Sequence, residues 1–148
     1  MQTPLTRELT EMRDDLQMLL SLLRLAHRQH WTAHWQSRGP MFWADHAMFG
    51  GLYEGLTAHI DTLAEKMIVL CGDECVDLCA GLEREEDLCA QLSGAGNVEK
   101  SLAVEHLIMK QADKLLQMEG ITVGLDDFLN ALIDDRETAV YMLTQRLK

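Results

Sequence analysis

Residues 34–46 read His34-Trp35-Gln36-Ser37-Arg38-Gly39-Pro40-Met41-Phe42-Trp43-Ala44-Asp45-His46. The Ser37-Arg38-Gly39-Pro40 run within them is a helix breaker. On both sides of it apolar residues recur in steps of three and four. Leu9, Met12, Leu16, Leu19, Leu23 and Ala26 precede it, and Phe49, Leu52, Leu56, Ile60, Leu63, Met67 and Leu70 follow it. This pattern predicts a first helix that runs to about Gln36, with Thr3 as its N-cap and Pro4 as its first residue. A second helix of similar length is predicted over roughly Met41 to Leu70, folded back on the first across the tight turn.

Outward from this hairpin the periodicity weakens between Cys71 and Gly96. Several glycines, the charge cluster Glu83-Arg84-Glu85-Glu86-Asp87 and the run Ser93-Gly94-Ala95-Gly96 mark a long crossover with room for one short helix. Asn97 is positioned to cap a third helix carrying Leu102, His106, Met109, Ala112 and Leu116, which stops near Gly120. A fourth follows Gly124, with a stripe of Phe128, Leu132, Ala139, Met142 and Leu143 reaching nearly to the end. Helix, tight turn, helix, long crossover, helix, turn, helix is the connectivity of a ferritin-like four-helix bundle, and the expected fold is therefore all-α. The chain has 148 residues, 47% of them apolar, enough for one domain over residues 1–148 that folds on its own core.

Charge narrows the range of partners. Thirteen Lys and Arg stand against 24 Asp and Glu, a net −11. Such a surface opposes sequence-independent binding to nucleic acid or anionic lipid, since both require clustered cations. No stretch approaches the ~20 apolar residues of a membrane span, and the start lacks the basic and apolar regions of a signal peptide, so the expected location is the cytoplasm. Four cysteines fit that compartment as reduced thiols. Cys71, Cys75 and Cys79 recur every four residues, and on one continuous helix they would form a thiol stripe for a soft metal. Gly72 and Gly81 argue against such a helix, and there is no CxxC pair, so buried reduced thiols are the simpler reading.

The chemistry concentrates in the first helix pair. Three of the six histidines, His27, His30 and His34, lie in the second half of the first helix, with Trp31 between them and Trp35 directly after. Taken singly, each fits an aromatic-polar surface face. His34 and His46, however, flank the turn and lie at similar heights once the helices fold back, so they can form a pair suited to a metal. Asp61 and Glu65, four residues apart on the second helix, either present two carboxylates to one cation or form a solvated acidic edge. At ~1.5 Å per residue, the fifteen residues from His46 to Asp61 separate the two groups by roughly 22 Å. One chain therefore cannot close one site. Two chains related by a two-fold axis, with their second helices antiparallel, can bring the histidine end of one beside the carboxylate end of the other.

His34-Trp35, Gly39-Pro40, Phe42, His46, Phe49, Leu52, Tyr53 and the run Ile60-Asp61-Thr62-Leu63-Ala64-Glu65-Lys66 resemble the signature of the Dps miniferritins. The match is dense from about Leu23 to Leu70, and looser over Thr138-Ala139-Val140-Tyr141-Met142-Leu143. The resemblance implies a twelve-subunit hollow shell, built from two-fold dimers, that oxidises Fe(II), usually with hydrogen peroxide, and stores the ferric product. It implies iron ligands at His34 and His46 from one chain and Asp61 and Glu65 from its partner, with Trp35 close by to quench radical equivalents or simply to pack. Asp126 and Asp127, at the start of the last helix, correspond to acids that line a three-fold iron entrance; a favourable charge at a helix N-terminus accounts for them equally well.

Two departures from the family pattern stand out. Gly50 occupies the place, four residues after the second histidine, where the family has a carboxylate that helps to hold a second metal. His30 or Asp45 is a candidate to compensate. Members that bind DNA do so through a flexible basic extension, whereas this chain enters its first helix almost at once and ends at Gln145-Arg146-Leu147-Lys148, so no nucleic-acid partner is expected. A contrasting reading is a ferritin-like shell whose metal site has degraded or holds zinc without redox chemistry, serving as a structural or metal-binding protein.

Overall fold

The computed structural model describes residues 4–148, with side chains from residue 7 onward, and the described residues contain helices and no strand. Five α-helices follow one another: α1 (Pro4–Gln36), α2 (Phe42–Cys71), α3 (Leu82–Gln91), α4 (Asn97–Leu116) and α5 (Val123–Leu147). Short 3-10 turns cover Gly39–Met41 and Asp73–Val76. The first two helices meet the expected bounds to within a residue. Thr3, the expected N-cap of α1, lies outside the described residues. No helix among them is long and apolar enough to cross a membrane.

The turn between α1 and α2 depends on Gly39, whose φ of +78° lies in the left-handed region open to glycine at little cost. The ring of Pro40 then presets the backbone for the single 3-10 turn that leads into α2. α1 is the hub of the bundle. It packs along α2 and α4, α4 packs along α5, and α2 and α5 meet only sparsely. Side chains of α1 also secure the crossover: Gln17 donates to the Cys75 carbonyl and Arg24 to that of Ala80. Two carbonyls outside any long helix thereby gain partners.

Leu16, Leu19, Leu23, Leu56, Leu63, Met67, Ile108, Leu115, Leu125, Leu129 and Leu132 form a fully buried core toward one end. A smaller core of Ala33, Phe49, Leu52, Val98, Ala139 and Leu143 lies toward the hairpin end. Between the two, α1, α4 and α5 contribute His30, Ser101, Glu105 and Arg136, all buried.

That polar layer explains the main differences from the sequence-based expectation. On α4 the buried face is Val98, Ser101, Val104, Glu105, Ile108, Ala112 and Leu115, whereas His106 of the expected stripe is exposed. The stripe is rotated by about one residue, or 100°, because Ser101 and Glu105 take core positions that an apolar pattern passes over. Asn97 does not cap α4. Gly96 is the N-cap residue, and Asn97 instead accepts from Gln29 at Oδ1 and donates to Gln36. The helix ends at Leu116, before Gly120, and α5 starts one residue before Gly124, capped by the Thr122 hydroxyl, which accepts from the Leu125 N–H at 3.1 Å.

Candidate metal centre

The hairpin brings His34 and His46 face to face. Their rings stack at a centroid distance of 3.7 Å and an interplanar angle of 21°. His34 Nδ1 donates to the backbone carbonyl of His46 at 2.7 Å, and His46 Nδ1 donates to the carbonyl of His34 at 3.0 Å. Because a carbonyl can only accept, both rings carry their proton on Nδ1 and present an Nε2 lone pair. The arrangement has a local origin. The His34 carbonyl is among the last four of α1, which lack helical partners, and His46 supplies one. Backbone bonds of this kind set the tautomer and orientation of a metal-binding imidazole.

Gly50 makes room for the pair. A Cβ at this position would lie 3.3 Å from His34 Nδ1 and 3.4 Å from its Cε1, closer than side chains ordinarily pack. Phe42 stacks on the outer side of His46 at 5.1 Å, and Tyr53 meets the edge of His34 at 5.4 Å. The ring in contact with His34 from the aromatic face is thus Tyr53, which the sequence marks only as part of the Dps-like signature. Trp35 is 63% exposed and packs on Trp31 at 4.9 Å, and Trp31 in turn stacks on Tyr53 at 5.3 Å. His27 sits edge-on to both Trp31 and Tyr53. Burial, and then neighbouring His30, hold the His27 pKa below the ordinary histidine value.

Asp61 and Glu65 lie further along α2, both exposed. Among the described residues, no three His, Cys, Asp or Glu side chains of this one chain converge as a metal-binding group. Neither candidate replacement for the carboxylate missing at Gly50 is free. His30 is completely buried, bonded to Ser101 Oγ at 3.0 Å and to Glu105 Oε1 at 2.7 Å. Asp45 receives a two-pronged bond from Arg146, at 2.7 and 3.0 Å. Both are held in place by structural partners.

The cysteines form no stripe. Cys71 ends α2, Cys75 lies in the following 3-10 turn and is buried, and Cys79 is exposed in the next turn. Cys75 donates its thiol to the Cys71 carbonyl, and burial together with Cys75 pushes the Cys71 pKa up to about 11, so that thiol stays protonated. Asp126, in the first turn of α5, and the following Asp127 are exposed, and Asn130 donates to Asp126.

No family model matches the chain. In sequence it is similar to the DNA protection during starvation protein of Brevibacillus brevis, 32% identical over 80 residues that cover 49% of this chain and 54% of that protein. The chain thus spans about half the length of the curated relative it matches. In structure it resembles Dps from Thermosynechococcus elongatus (TM-score 0.85, 19% identity, 99% of this chain and 96% of that one). It also resembles the Dps protein of Vibrio cholerae O1, described as a member of a broad superfamily of ferritin-like diiron-carboxylate proteins (TM-score 0.80, 21% identity, 96% and 92%). A third similar structure is a dodecameric thioferritin, the bacterioferritin-related protein from Bacteroides fragilis (TM-score 0.79, 18% identity, 94% and 85%). The chain thus shares sequence with a Dps protein over about half its length and has the ferritin-like fold over nearly all of it.

Proposed function

We propose that this chain is a miniferritin subunit that binds and oxidises Fe(II) between two copies of itself and stores the ferric product in a hollow homo-oligomeric shell in the cytoplasm. The observation that carries the proposal is the reciprocal His34–His46 pairing, which fixes two imidazoles with their Nε2 lone pairs unused by the backbone. These nitrogens are the donors offered by one chain. Asp61 and Glu65, exposed roughly 22 and 28 Å along the same helix, are the oxygens offered to the next. A two-fold dimer with antiparallel α2 helices forms two equivalent sites of two nitrogens and two carboxylates each. The exposed apolar groove of Trp31, Trp35, Leu78 and Leu82 beside this face is surface that a second copy would cover, and the Dps and dodecameric thioferritin neighbours favour twelve subunits.

Iron is the substrate. The carboxylates, as hard anionic donors, favour the ferric over the ferrous ion and so lower the cost of oxidation. Hydrogen peroxide is the proposed oxidant. Trp35, linked through Trp31 to the Tyr53 ring that edges His34, is placed to accept radical equivalents released there. Net charge −11 per chain favours attraction of cations and the absence of a nucleic-acid partner, with Asp126 and Asp127 as candidates for lining an entrance.

Fe(II) followed by hydrogen peroxide, with iron tracked through size-exclusion chromatography, tests the proposal. Ferric iron should co-elute with a large shell and be lost in His34→Ala and Asp61→Ala. An empty shell of normal size would refute iron storage. Gly50 favours a second reading, a single metal site of mixed N/O donors that holds zinc without redox chemistry; tight zinc binding with no peroxide consumed in the presence of Fe(II) would select it.

A further inference from the structure

The polar layer across the bundle calls for an explanation of its own, because buried charges are costly unless they are paired. Glu105 Oε1 accepts from His30 Nε2 at 2.7 Å and from Arg136 Nη1 at 3.0 Å, and His30 Nδ1 lies 3.0 Å from the Ser101 hydroxyl. His30, Ser101 and Glu105 are 0% exposed and Arg136 is 2% exposed. Arg136 Nη2 reaches outward to Asp135 Oδ2, which also accepts from His59 Nε2 at 2.8 Å at the sparse seam between α2 and α5. Two buried atoms in this layer have no hydrogen-bond partner among the described residues: Glu105 Oε2 and Arg136 Nε.

Ferritin-like di-iron bundles hold their metals in the bundle core, between Glu and His side chains on facing helices. Here a Glu and a His of that type face each other from α4 and α1, but the residues present do not fit a metal. His30 Nε2 is spent on Glu105, and the same carboxylate oxygen is shared with a guanidinium, whose fixed positive charge opposes a second cation there. The chain also lacks the Glu-x-x-His motif that such bundles carry on two helices.

We propose that Arg136 is the resident cation of the bundle centre: it neutralises Glu105 in place of a metal ion, closes the core to divalent cations and so restricts metal binding to surface groups. Guanidinium suits the task because it stays charged when buried, whereas an ammonium sheds its proton readily. The unpartnered Glu105 Oε2 is the donor that would turn to a metal once the guanidinium is gone. Asp135, partly exposed at the α2–α5 seam, marks a short route for an ion to enter. This inference is independent of the proposed intersubunit site.

The test removes that site first. In a His34→Ala/His46→Ala background, Co(II) is titrated and followed by its visible absorption, by dialysis stoichiometry and by thermal unfolding. With Arg136 intact, no cobalt should enter the core. Arg136→Ala and Arg136→His should each take one Co(II) per chain and gain about 5 °C in Tm at saturating metal. Adding Glu105→Gln should abolish both effects. The proposal is overturned if Glu105-dependent cobalt binding is already present with Arg136 in place, or if the folded Arg136 variants bind none. If those variants fold only with metal, helicity that recovers on refolding in Co(II) and requires Glu105 supports the proposal, and no recovery overturns it.

Discussion

Glycine at position 50 has two opposed consequences for the imidazole pair. It removes the carboxylate that Dps-type sequences carry there, and it leaves the space in which the His34 ring reaches the His46 carbonyl. Any side chain at 50 presses on His34 by a few tenths of an ångström, and an acidic one also returns the missing carboxylate. Gly50→Glu is therefore expected to raise the metal bound per site from one toward two, by calorimetric titration. Gly50→Ala crowds the ring without donating, and should leave stoichiometry unchanged while weakening affinity about tenfold, the lower end of the cost of disturbing an imidazole's supporting bonds. Equal behaviour of the two variants would remove the missing carboxylate from the explanation. The position of Gly50 was legible in the sequence as an absence, but its contact with His34 was not, because that contact crosses a turn and depends on how the two helices rotate.

Helix α4 owes its rotation to polar residues placed inside, and α5 contributes an arginine to the same layer. An apolar pattern reads past Ser101, Glu105 and Arg136, yet each occupies a helical step between buried neighbours: Val98 and Ile108 on α4, Leu132 and Ala139 on α5. Arg136→Met removes one member of a buried pair and should destabilise the protein by about 3–5 kcal/mol in urea denaturation. The arm of this network that reaches the surface carries a pH signature. Burial pushes the Asp135 pKa up, but hydrogen bonds from Arg136 and His59 outweigh it and hold the carboxyl below its ordinary value. A depressed folded pKa means that the unfolded state binds the proton more readily. The contribution of Asp135 is thus complete above the ordinary carboxylate range and is lost as pH falls through the folded value. The stability difference between wild type and Asp135→Asn should shrink as the pH drops below about 4. A difference that grows with acid below that pH would contradict the assignment.

At the scale of the assembly, a site divided between chains makes a prediction that a site within one chain cannot. His34→Ala/His46→Ala chains and Asp61→Ala/Glu65→Ala chains should each fail to oxidise iron alone. Co-assembled in equal amounts, half of the dimers are mixed, and each mixed dimer holds one intact site and one doubly damaged site. Activity should therefore recover to about a quarter of wild type. No recovery in verified mixed oligomers would contradict an intersubunit site.

The sequence by itself determined the elements and their order. Helical periodicity, the Gly39-Pro40 break and the glycine-rich crossover are local signals, and the bounds of α1 and α2 followed from them to within a residue. It also determined that His46 and Asp61 of one chain lie too far apart to share an ion, since rise per residue is a property of the helix alone. Tertiary structure decided what each polar residue does. His30 and His34, one turn apart on the same helix, look alike in sequence, yet one is sealed against Glu105 and the other stands half-buried beside His46. Asp45 adjoins His46 in sequence and is committed to Arg146, more than a hundred residues away. The reason is physical: burial and hydrogen-bond partners arise from contacts between distant segments, and periodicity within a segment carries no information about which distant side chain will meet it.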